Sequence, residues 1–109
     1  GCDGAGERVG QQCNAAIHRA CVAAGFPSGF GPVQVSGGAV SISCVPGAEV
    51  VSTTYTVMST HHGGCTAASR IGPDCNAAIH RFCASRGAVS GFGPLENSGD
   101  GLAVACVRP

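Results

Sequence analysis

The sequence predicts a small, disulfide-rich α+β protein of two tandem, pseudo-symmetric units, each one helix plus short antiparallel strands. Three observations carry this prediction. Eight cysteines fall in a chain of 109 residues, the density of a stapled scaffold. The stretch CNAAIHRAC, Cys13–Cys21, returns as CNAAIHRFC, Cys75–Cys83, altered only where Ala20 meets Phe82. Gly- and Pro-containing turns then separate each helical stretch from runs of β-formers.

The repeat reaches well beyond the helix. Arg8–Val45 superposes on Arg70–Val107 at one constant offset, including SGFGP at Ser28–Pro32 and again at Ser90–Pro94. Gly1-Cys2 matches Gly64-Cys65 once one loop residue is dropped. This is a tandem duplication. The units are 1–47 and 64–109, with 48–63 as a linking β-strand.

The first helix is expected from about Gln11 to Ala24, closed by Gly25. In the second unit Pro73 stands where a first-turn proline is tolerated, and Gly87 closes the helix. Strands are expected near Val33–Val35 and Ala39–Val45 around a Ser-Gly-Gly turn, with Ser98-Gly99-Asp100-Gly101 as its counterpart. Alternation in AVSISCV sets Val40, Ile42 and Cys44 against Ser41 and Ser43. The linker EVVSTTYTVMST reads as β-rich, with Val51, Thr53, Tyr55 and Val57 on one face. The first unit has no such strand. Two expectations follow: Glu49–Ser59 serves both halves, or one sheet keeps an open edge through which molecules associate.

Helix geometry constrains the cysteines. Cys13, Ile17, Ala20, Cys21 and Ala24 fall on one apolar stripe within about 80°. Cys13 and Cys21 lie about 12 Å apart along the axis, too far to pair with each other or to share one zinc. Each must meet a cysteine from outside the helix. The preferred pairing is Cys2–Cys13 and Cys21–Cys44, repeated as Cys65–Cys75 and Cys83–Cys106, although sequence alone leaves three pairings per unit.

His18 and His80 lie on the flank of the stripe beside Asn14 and Asn76. They read as edge-packed residues bonded to Asn or backbone, or else as ligand contacts. Arg19 and Arg81 point away from the stripe and offer a bidentate fork to acidic groups. Phe30 and Phe92 are expected to plug the core beneath the SGFGP turn; the other reading is an exposed platform for a sugar. Asn97 and Asp100 join the candidates because the uncharged polar residues around Asn97, Ser98 and Asp100 suit sugar hydroxyls. His61 and His62 adjoin at a strand end, facing opposite ways, and make a poor chelate. No nucleophile motif accompanies the histidines, so an enzyme is not expected, and neither a cofactor nor a metal is called for.

Six arginines balance six acidic residues and lysine is absent, so no overall field favours nucleic acid or an anionic membrane. No apolar run can span a bilayer. The even cysteine count points to an oxidising compartment, hence secretion or the cell surface. The chain opens on Gly1 with no leader, which reads as a processed protein or an excised piece.

CNAAIHR followed by a Gly-rich turn and GPVQV resembles the core motif of LCCL modules, in which a cysteine, two alanines, a hydrophobic residue and histidine open the corresponding helix. The resemblance covers Cys13 to about Val35 and, less closely, Cys75–Leu95. It implies an extracellular α+β module with lipopolysaccharide or glycan binding, and it assigns no individual functional residue. The expected function is therefore a secreted, lectin-like binding module with two quasi-equivalent glycan sites. The alternative is a self-assembling extracellular structural subunit of a surface layer or fibre.

Overall fold

The computed structural model describes residues 2, 10–36 and 39–108. Arg8, where the repeat opens, and the Gly-Gly reversal at 37–38 lie outside them. The elements run α1 (Gln11–Ala23), β1 (Ser28–Ser36), β2 (Ala39–Val45), β3 (Ala48–Thr54), α2 (Tyr55–His61), α3 (Pro73–Ser85), β4 (Ser90–Ser98) and β5 (Gly101–Val107). This is the small, disulfide-rich α+β fold that the duplication predicts.

Both long helices end identically. Gly25 and Gly87 take φ of 95° and 88°, a left-handed conformation open to glycine at little steric cost. The next amide, of Phe26 or Ala88, then reaches back to the carbonyl of Cys21 or Cys83 at 2.9 and 3.1 Å, while the glycine amide bonds Val22 or Ala84. This double bond pattern satisfies carbonyls that would otherwise be stranded at a helix end. It also turns the chain at once into β1 and β4.

Four disulfides join Cys2–Cys13, Cys21–Cys44, Cys65–Cys75 and Cys83–Cys106. Each helix is thus tied at its start to an upstream segment and near its end to the last strand of its unit. The pairing is the one that the helical spacing favours.

The sheets are less symmetric than the sequence. β1 and β2 form a two-stranded antiparallel sheet, whereas the second sheet has the order β3-β5-β4. β3 runs along β5 from Ala48 opposite Val107 to Thr54 opposite Gly101. The linking strand therefore belongs to the second unit, and the expectation that it serves both halves fails. It is also shorter than expected. Thr54 caps a helix by accepting from the Val57 amide at 3.1 Å, so 55–61 leave the sheet as α2. Tyr55 and Val57 do not share a strand face with Val51 and Thr53: Tyr55 is buried and Val57 exposed. His61 is the last residue of this helix and His62 its C-cap, so neither stands at a strand end.

One hydrophobic cluster dominates the molecule, and it lies in the second unit. Tyr55 and Met58 from α2 pack with Ala78, Ile79 and Phe82 of α3 and with Leu102 and Val104 of β5. In the first unit the buried residues of α1 are Cys13, Ile17 and Cys21. Among the described residues, no helix is long and apolar enough to cross a membrane.

Candidate functional site

The SGFGP motif organises a cleft that both units build. Its residues are not a simple turn but the opening of β1 and of β4. The ladder is interrupted between Phe30 and Gln34 and between Phe92 and Glu96. Proline there brings no amide to the ladder, and the Gly31–Pro32 and Gly93–Pro94 bonds are cis.

Each position has a separate task. Ser28 Oγ lies 2.7 Å from His18 Nδ1, and Ser90 Oγ lies 2.8 Å from His80 Nδ1. The histidines thus bond a serine, not Asn or backbone, and clamp each helix to the start of its strand. Gly29 lies against the Cys21–Cys44 bridge. A Cβ there would overlap the Cys21 sulfur and stand 2.6 Å from the Ser43 carbonyl oxygen; Gly91 faces Cys83 and Ala105 in the same way. Phe30 and Phe92 do not plug two separate cores. Their rings meet each other edge to face, with centroids 5.3 Å apart, and Phe30 remains 45 % exposed.

Around this aromatic pair lies a cleft of about 560 Å³ whose lining includes Asn14, Asn76, Phe30, Phe92, Val33 and Ile71, with glycines from both repeats. Asn14 and Asn76 occupy equivalent positions on α1 and α3. Among the described residues neither side-chain amide has a protein partner. Among the described residues that line it, none is charged. The two asparagines contribute to one composite cleft.

The other candidates lie apart from it. Arg19 is engaged by Glu96 through a bidentate pair, Nε to Oε2 at 2.9 Å and Nη2 to Oε1 at 2.7 Å. With Gln11 Oε1, which accepts from Arg70 at 3.1 Å and Asn97 at 3.0 Å, this pair ties α1 of the first unit to the second. Arg81 donates to the His61 carbonyl at 3.2 Å and contacts the His62 ring at 3.1 Å, holding the end of α2. Asn97 accepts from the Tyr55 hydroxyl, and Asp100 from Thr56 Oγ1 at 2.8 Å. Burial raises the pKa of Tyr55 above its usual value; Arg70, over the ring at 5.4 Å, opposes that rise and Asp100 adds to it.

Ser28 and Ser90 were the residues that spacing arguments missed, and Phe30 and Phe92 stand out in the sequence singly but not as a pair. The repeated ten-residue separation of His from Ser was the available signal. No protein-family model, curated protein or solved structure significantly matches this chain.

Proposed function

We infer that this chain is a secreted or cell-surface binding module that takes a neutral glycan in the cleft between its two repeats. The carrying observation is the pairing of Asn14 and Asn76 around the Phe30–Phe92 contact, in a cleft whose described lining residues carry no charge. Carboxamides offer both donors and acceptors to hydroxyl groups, and aromatic rings cover the apolar face of a sugar. The described lining residues give no counter-charge to a phosphate, a carboxylate or an amine. Four disulfides suit an oxidising extracellular setting, and the LCCL-like stretch Cys13–Val35 leans the same way.

A glycan array tests this reading. Neutral oligosaccharides should bind, and Asn14→Ala combined with Asn76→Ala should weaken binding at least about tenfold, as expected for losing two or more hydrogen bonds. Arg19→Ala and Arg81→Ala should leave binding unchanged. Failure of every neutral glycan to bind, or binding indifferent to both asparagines, would overturn it.

A further inference from the structure

The two units share a sequence pattern but not a cover. In the second unit Ala78, Phe82, Leu102 and Val104 are 0 %, 7 %, 4 % and 0 % exposed, beneath Val51, Tyr55 and Met58. Their counterparts in the first unit are Ala16, Ala20, Val40 and Ile42. Ala16 and Ala20 are exposed, Ile42 is half-buried and Val40 is 49 % exposed. The edge of β2 that corresponds to the β3-bonded edge of β5 is unpaired among the described residues. Among the described residues of the first unit, none plays the part of β3 and α2.

We propose that the β2 edge and the α1 face beside it form a docking surface for a strand-then-helix segment of a partner polypeptide, seated as β3–α2 seats on the second unit. Open sheet edges pair readily with an added strand. The molecule itself supplies the template: Val51 stands opposite Val104, so an apolar residue in the added strand would stand opposite Ile42. An aromatic residue and a methionine-like residue three positions apart on the following helix would cover Ala16, Ala20 and Val40.

Charge defines the occupant further. Glu49 of β3 bonds Arg108 at 2.7 Å and lies 3.8 Å from Arg86. The equivalent positions in the first unit are Pro46 and Ala24, and 28–45 contains no charged residue. A carboxylate at the Glu49 position would find no cation at either of these two positions. The partner strand is therefore uncharged, rich in β-branched and hydroxyl residues, and unlike β3 at this one site. This surface involves none of the cleft asparagines, so its test is separate from that of glycan binding.

The probe is a synthetic peptide spanning Ala48–Gly63, used with the full oxidised chain. Its Glu49→Gln form should bind, severalfold more tightly than the unaltered peptide, and should slow amide exchange across Val40–Cys44 of β2. Val51→Asp in the same peptide should abolish both effects. Several results would overturn the assignment. One is no binding by the Glu49→Gln peptide; another is slowed exchange confined to Leu102–Cys106. A third is protection of β2 that grows with protein concentration in the absence of peptide, which would assign the edge to a second copy of the chain.

Discussion

The His18 ring nitrogen Nδ1 stands 2.7 Å from the Ser28 hydroxyl, and the duplicate unit repeats the contact between His80 and Ser90 at 2.8 Å. In each unit the bond joins the middle of a helix to the first residue of the following strand. That strand start also packs against the disulfide whose helix cysteine lies two residues from the helix end. The histidine thus fastens the helix–strand corner. Ser28 is fully buried, whereas His80 is exposed and Ser90 half-buried.

Different burial makes the two clamps unequal. His18→Ala leaves the buried Ser28 hydroxyl without its partner, and it should cost about 1–3 kcal/mol. His80→Ala exposes a serine that water can reach, and it should cost less than about 1 kcal/mol. Urea unfolding of both variants checks the difference. Neither change should alter binding in the cleft; equal costs would remove the burial argument.

The first glycine of each SGFGP motif is irreplaceable for a reason distinct from backbone freedom. A methyl group at Gly29 or Gly91 overlaps a disulfide sulfur and presses on the neighbouring strand's carbonyl. Gly29→Ala and Gly91→Ala should each cost about 3 kcal/mol or more and lower the yield of correctly bridged protein. Gly25→Ala is the control. A Cβ there meets nothing within 4 Å, so only the positive φ is penalised, by roughly 1 kcal/mol. Non-reducing peptide mapping beside urea unfolding separates the two cases.

Equivalent disulfides should differ in their resistance to reduction. Cys65 and Cys75 are 0 % and 2 % exposed, while Cys2, the counterpart of Cys65, lies at the surface. Thiol–disulfide exchange requires access to a sulfur. Under limiting reductant Cys2–Cys13 should open first, and Cys83–Cys106, in the core cluster, last. Alkylation followed by mass mapping gives the order. Simultaneous opening of all four bridges would show that the units unfold together before any bridge is attacked.

Much of this architecture was legible because the duplication repeats it. The cysteine order, helix bounds, glycine stops and disulfide pattern all depend on local spacing, which sequence displays directly. The cleft was less legible. Phe30 and Phe92 each resemble a core residue within their own repeat, and only the packing of one unit against the other turns them into a pair. The linker was misread as strand throughout because VVSTTYTV is β-rich. The decisive feature was the Thr54 side chain accepting from the Val57 amide, which starts a helix where Tyr55 and Met58 reach the core. Burial and the helix cap together outweigh intrinsic β preference at Tyr55, Thr56 and Val57. The selection of the second unit by β3 was equally hidden, since both β2 and β5 offer a matching strand.

Tyr55 provides a last, isolated test of that buried linker. It is the sole tyrosine, the chain has neither Trp nor Lys, and no cysteine is free. Absorbance in the alkaline range therefore reports this one phenol. Burial raises its pKa, with Asp100 adding to the rise and Arg70 opposing it, so the folded protein holds the phenolic proton more tightly than the unfolded chain, whose tyrosine titrates near about 10. Between the unfolded and folded values the unfolded state binds fewer protons, and stability must fall as pH rises. Below about pH 10 the contribution is complete; above it, stability is lost progressively through the folded value. Ionisation also removes the proton that the hydroxyl donates to Asn97. Tyr55→Phe should lose about 0.5–1.5 kcal/mol at neutral pH but flatten this alkaline decline. Asp100→Asn should bring the absorbance midpoint down, and Arg70→Gln should push it up. A midpoint at the value of a free phenol, unmoved by either substitution, would mean that the linker helix does not bury Tyr55 in solution.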